Sequence, residues 1–221
     1  MRAPRTARAR GRSDRERQPL TAIRSPRDDG QAGLTLEIYL ARHGETEWSL
    51  SGRHTGVTDL PLTAHGEQKA LALGRRLGGI QFDEVYSSPL QRALRTAQLA
   101  GFAAPHITPL LREVDYGQYE GLTSDQIHET NPGWELFKDG CPGGESPAQI
   151  YARAEQFIEL AMQAAGSRLL AFAHGHILRA VAVAWIRAGI QVAAGLQLDV
   201  ATLNVLRGAD RGRVIALWNS P

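Results

Sequence analysis

Cysteine occurs once in 221 residues, at Cys141, so the chain cannot close a disulfide on itself and a reducing compartment suits it. No run of apolar residues reaches 18, which excludes a helix that spans a bilayer, and no membrane partner is expected. The first residues lack the apolar stretch of a secretory signal, and the expected location is the cytoplasm. Neither GxxxxGK[ST] nor GxGxxG occurs, so nucleotide binding by those phosphate-cradling loops has no support. Acids and cysteines do not cluster with histidines at metal-ligand spacing, and neither a metal nor another cofactor is expected. What is present, 43% hydrophobic and 22% charged residues, reads as a globular domain.

The net charge of +2 conceals two unlike parts. Residues 1–30 hold nine arginines and four acids, with few apolar residues and no periodicity, whereas the remainder carries a balance of −3. Residues 1–33 are therefore expected to be a disordered Arg-rich extension and residues 34–221 a folded domain. Asp14, Glu16, Asp28 and Asp29 interrupt the positive run, and no aromatics are interleaved, so nucleic acid is not expected as a partner.

Along the folded part, LTLEIYLA (34–41), DEVYSS (83–88) and RLLAFAH (168–174) are short, apolar segments of the kind that form buried strands. Between them lie helical patterns. Thr63 precedes one whose stripe is Leu71, Leu73 and Leu77, stopped by Gly78-Gly79. Pro89 is placed to open another, Ser124 to cap a short one, and Ile150, Ala154, Phe157, Ile158 and Ala161 give the face of a long one over 147–165. DVATLNVLRGA and GRVIALW are expected to pair as a hairpin across Asp210-Arg211-Gly212. Strands alternating with helices predict a three-layer α/β/α sandwich with a mainly parallel central sheet.

Ligands bind such sheets beyond the carboxyl ends of the strands. Three predicted strands end there in reactive groups: Arg42-His43, Ser87-Ser88 followed by Arg92, and His174-Gly175-His176. Arginine forks suit a phosphate dianion. A neutral imidazole with one nitrogen hydrogen-bonded presents the other lone pair to phosphorus, and a second imidazole can donate to the non-bridging oxygens. Glu113, near an anion, is expected to have a raised pKa and to protonate a leaving alkoxide. Gly44 is expected to let the backbone approach the anion, and Glu45 has no assigned role. Each item alone has a plainer reading: a strand-end ion pair for Arg42-His43, a metal half-site for His174-Gly175-His176, neutralisation of Arg112 for Glu113.

The combination is more specific. LARHGETEWS, SSPLQRALRTA, LREVDYGQYEGLT and FAHGHILRA, in that order, closely resemble the histidine phosphatase superfamily, which includes the phosphoglycerate mutases. The resemblance covers about residues 35 to 217 and implies that family's fold. It implies that His43 is phosphorylated during turnover, that Arg42, Arg92 and His174 complete the phosphate pocket, and that Glu113 is the proton donor. The branch most similar is the acid-phosphatase and sedoheptulose-bisphosphatase-like one, whose substrate contacts map onto Thr46, His54, Thr55, Gly56, Tyr116, Gly175 and Arg179. His54 stands where the bisphosphatase-like members carry tyrosine. Arg179 is the candidate ligand for a second phosphate or a carboxylate.

The resemblance implies a phosphomonoester hydrolase acting on small phosphorylated metabolites, as a monomer or homodimer. Only about 61 residues separate Glu113 from His174, with a single lysine in NPGWELFKDGCPGGES, which favours hydrolysis over transfer. A cofactor-dependent phosphoglycerate mutase is the alternative, and a non-catalytic phospholigand-binding module is the alternative of another class.

Overall fold

The computed structural model describes residues 35–208 and 212–221. The expected Arg-rich extension and the turn residues Asp210 and Arg211 lie outside them. In chain order the elements are β1 (Leu36–Arg42), α1 (Glu47–Ser51), α2 (Ala64–Leu77), β2 (Glu84–Ser87), α3 (Gln91–Leu99) and β3 (His106–Ile107). There follow α4 (Ser124–Thr130), α5 (Leu136–Asp139), α6 (Pro147–Gln163), β4 (Arg168–Ala173), α7 (Gly175–Trp185), β5 (Leu203–Gly208) and β6 (Val214–Ser220).

The strands form one sheet in the order β3-β2-β4-β1-β5-β6. The pairings β3-β2, β2-β4 and β4-β1 are parallel, and β5 runs antiparallel to both of its neighbours. The near-continuous apolar character of β4 follows from its central place, because successive side chains enter opposite layers. Leu169, Ala171 and Ala173 join the core under α6 and α7. Leu170 and Phe172 join the core under α2 and α3 with Leu73, Leu77 and Ala97. The α/β/α sandwich read from the sequence is the observed one, and all five residues expected on the inner face of α6 are buried there.

Three local expectations change. Leu71 is on the outer face of α2, and the buried stripe is Gly66, Ala70, Leu73 and Leu77. Small residues took inner positions because α2 packs close to the loop after β1. Pro89 does not open α3. Leu90 is the N-cap, with an extended backbone, and its amide donates to Ser88 Oγ at 3.3 Å across the bend before the helix. Ser124 is the first residue of α4, and Thr123 caps it through a reciprocal capping box with Gln126.

Gly66 makes that close approach possible. A Cβ there would overlap the backbone of Glu45, and one on Gly44 would sit 2.5 Å from the Gly66 carbonyl. Gly66→Ala, which in an exposed helix stabilises by close to 1 kcal/mol, is instead expected to destabilise by about 1–3 kcal/mol through overpacking. Urea denaturation gives the sign directly.

Candidate active site

Parallel pairing sets three strand ends side by side. Arg42 is in register with Ala173 and Ser87 with Phe172. The ladder continues one residue further, since the His43 amide donates to Ala173 O and the Ser88 amide to Phe172 O, both at 2.9 Å. His43, Ser88 and His174 therefore emerge together at the carboxyl end of the sheet.

His43 Nδ1 lies 2.7 Å from Gly44 O, an atom that only accepts, so Nδ1 carries the proton and Nε2 the lone pair. Burial, followed by the charges of Arg42 and Arg92, holds its pKa well below the ordinary histidine value. The His174 ring is 5.1 Å away, centre to centre. Arg92 Nε donates to His174 Nδ1 at 3.1 Å, and a guanidinium can only donate. His174 Nε2 therefore bears the hydrogen, which it gives to Ser88 Oγ at 2.8 Å. Burial first, then Arg92 and His43, keep this second imidazole neutral too.

The Arg92 side chain is fully buried, and four of its five N–H groups are engaged, by His174 and by the carbonyls of Thr55, Gly56 and Thr58. Arg42 differs. Nη1 donates to Leu198 O, while Nε is buried with no partner among the described residues, an orphaned donor on the residue next to His43. Gly175 packs against this guanidinium: a Cβ on the glycine would lie 3.4 Å from Arg42 Nε and Cζ, an ordinary contact.

Glu113 reaches the N-terminus of α7 from the loop after residues 109–111. Its Oε2 accepts from the His176 amide and its Oε1 from the Ile177 and Val114 amides, each at 3.0 Å. His174, the N-cap residue of α7, makes no side-chain cap bond, so a carboxylate from another segment does the capping. Burial alone would raise the Glu113 pKa, but His176, His174 and the His176 amide outweigh it and hold the carboxyl well below its ordinary value. The raised pKa expected from the sequence is not a property of the protein alone.

Arg42, His43, Glu113 and Gly175 line a cavity of about 320 Å³. His54, Thr55, Tyr116, His176 and Arg179 form its walls, whereas Arg92 and His174 are wholly buried behind the floor. Tyr116 Oη and His176 Nδ1 are 2.5 Å apart, and His54 packs on Tyr116 at 4.8 Å between centroids. Arg179 lies over the Phe137 ring at 5.3 Å.

Two residues expected to bind substrate are placed otherwise. Thr46 is the N-cap of α1, its hydroxyl taking the Ser49 amide, and the Gly56 amide is given to Glu120. Neither lines the cavity. Gly44 gives its amide to Thr96 Oγ1 at 2.9 Å, so its small size serves packing against α2 and not approach to an anion. Glu45 acquires a role: it accepts from Thr63 Oγ1 at 2.7 Å and meets His65 Nδ1 at 3.0 Å, pinning the start of α2.

Arg53 and Ser124 also line the cavity, and motif reading missed both. An antiparallel bridge between Arg53 and Thr123 brings them together, a contact no local pattern announces. Among the described residues, no group of three or more His, Cys, Asp or Glu side chains could hold a metal ion. No helix among them is long and apolar enough to cross a membrane.

The chain matches the model of the histidine phosphatase superfamily (branch 1) over residues 38–221. It is 42% identical over 171 residues to an acid phosphatase of Mycobacterium tuberculosis, covering 76% of this chain and 84% of that protein. It is 33% identical to sedoheptulose 1,7-bisphosphatase of Saccharomyces cerevisiae, covering 72% of this chain and 70% of the other. The solved structure of an open reading frame product from Mycobacterium tuberculosis superposes with a TM-score of 0.80 at 39% identity, over 84% of this chain and 97% of that one.

Proposed function

Since the chain belongs to the histidine phosphatase superfamily and is a hydrolase of phosphorylated substrates, we propose that it cleaves phosphomonoesters of small metabolites through a phosphohistidine on His43. The observation that carries this reading is the pairing, in one cavity, of an imidazole with its Nε2 lone pair exposed by tautomer and an arginine with an unpartnered buried N–H. Phosphorus is attacked by His43 Nε2 as the bond to the leaving oxygen breaks, and Glu113 passes its proton to that oxygen. Water then attacks the phosphohistidine, giving a proton back to Glu113, and the N–P bond pair returns to Nε2. Arg42 holds the phosphoryl oxygens directly. Arg92 fixes the tautomer in which His174 Nε2–H is a donor, which a phosphoryl oxygen can take over from Ser88 Oγ.

Hydrolysis rather than transfer is supported by the segment between the acid and the late histidine. Its Trp134, Leu136 and Phe137 are buried in the core under α6 and α7, and Lys138 is its one lysine or arginine between residues 124 and 146. Little remains there to enclose a bisphosphorylated intermediate.

The test is a phosphate-release screen over phosphomonoesters, sugar phosphates and bisphosphates. It includes 3-phosphoglycerate with 2,3-bisphosphoglycerate and an assay for isomerised product. Phosphate release is expected to dominate, and isomerisation outpacing it would replace the phosphatase reading with a mutase one. In the same screen Arg179→Ala is expected to raise KM about ten- to a hundredfold for substrates with a second anionic group, the worth of one charge-assisted hydrogen bond. Simple monoesters should be little affected.

A further inference from the structure

Residues 55–58, of which Thr55 lines the cavity, run between a buried cation and a carboxylate. On one side the carbonyls of Thr55, Gly56 and Thr58 accept from Arg92 at 2.9, 3.1 and 2.9 Å. On the other side the amide of Gly56 donates to Glu120 Oε2 at 2.9 Å, and that of Thr58 to Oε1 at 3.0 Å. Both oxygens of Glu120 thus go to the loop. The fit is close, since a Cβ on Gly56 would come within 2.8 Å of Glu120 Oε2 and 3.0 Å of the Tyr116 ring. Backbone bonds strap the neighbouring residue to the same segment: the His54 amide donates to Leu122 O and the Gly121 amide to His54 O, both at 2.9 Å.

We propose that Glu120 is a positioning residue for phosphoryl transfer, acting through this loop on Arg92 and His174. The inference rests on the phosphatase reading above. Three of the four engaged N–H groups of Arg92 end on carbonyls of a segment whose amides Glu120 holds. Without the carboxylate, two amides lose their acceptor and the segment relaxes, because a buried donor left unpaired costs more than a shifted loop. Arg92 then loses the cradle that aims its Nε at His174 Nδ1. An imidazole released from that donor can exchange its proton between nitrogens, and the Nε2–H facing the phosphoryl floor is no longer guaranteed. His54 and Thr55, which line the cavity, move with the same segment.

The experiment compares wild type, Glu120→Ala and Glu120→Gln by hydrolysis of p-nitrophenyl phosphate and by inhibition with inorganic phosphate, a probe that lacks a leaving group. Glu120→Ala is expected to raise both KM and the inhibition constant for phosphate by about tenfold or more. Glu120→Gln keeps one carbonyl oxygen that can accept both amides, as Oε1 does now, and is expected to stay within about threefold of wild type. An unchanged inhibition constant in Glu120→Ala overturns the proposal. So does equal impairment in the two variants, since charge and not a held loop would then be the cause. Should Glu120→Ala fail to fold, Glu120→Asp carries the same expectation and the same overturning result, because it keeps the charge but withdraws the carboxylate by one methylene. Phosphohistidine trapping on wild type runs alongside. Its absence counts against the phosphatase reading, whereas its presence with an unaltered Glu120→Ala counts against Glu120 alone.

Discussion

His43→Ala is expected to reduce hydrolysis of p-nitrophenyl phosphate to background, a loss on the order of 10⁴-fold or more. The size of the effect follows from the hydrogen-bond directions around the two imidazoles. His43 has one nitrogen tied to Gly44 O and the other bearing a free lone pair. His174, the nearest imidazole, cannot replace it: Nδ1 accepts from Arg92, and Nε2 carries a hydrogen already directed at Ser88. Cys141 is no substitute either, because burial, then Asp115 and Glu145, push its thiol up to about 12. Rapid mixing with radiolabelled substrate followed by alkaline denaturation should trap label on wild type and none on His43→Ala. Near-native turnover by the variant would remove the mechanism.

The line between what the sequence disclosed and what it hid follows the range of the interactions. Strands β1 and β4 were legible because burial on both faces leaves an apolar run, and α6 because one face recurs at helical spacing. Arg42, His43 and His174 were legible as motif residues at strand ends, Arg92 and Glu113 as motif residues on a helix and a loop, and the register places the three strand ends together. The direction of the Glu113 shift was not legible. It depends on amides at the start of α7, more than 60 residues along the chain, and on a cap contributed from outside the helix. Leu71 was misread for a related reason: composition cannot tell that Gly66 must face inward to let Glu45 pass. Glu45 and Glu120 had no reading because both act on the backbone or side chains of another segment, with no fixed spacing between them.

Glu113→Gln is expected to separate substrates by leaving group. Aliphatic phosphates should lose about 10²–10⁴-fold, because their alkoxide must depart unprotonated, whereas p-nitrophenyl phosphate should lose far less in the first step. Label should also accumulate on His43, since the same group activates water in the second step. The proton bookkeeping makes a further distinction. With its pKa held well below the ordinary value, Glu113 is a carboxylate in the free enzyme at any pH near neutrality, and His43 is neutral there. The reactive complex nevertheless needs one proton on Glu113. A substrate monoanion can bring it, and the dianion bound beside the carboxylate raises the affinity of Glu113 for it. For an aliphatic monoester kcat/KM is therefore expected to be level below the second phosphate pKa, about 6, and to fall about tenfold per pH unit above it. At the acid end the decline begins only where His43 takes up a proton, well below its ordinary value. In Glu113→Gln the alkaline fall should flatten, because no acid remains to be supplied. The substitution also turns one carboxylate oxygen into an amide nitrogen facing the α7 N-terminus, costing about 1–2 kcal/mol of stability, so a melting curve must accompany the kinetics. Equal slowing of alkyl and aryl phosphates, with the pH profile unchanged, would remove Glu113 from proton transfer and leave it the α7 cap alone.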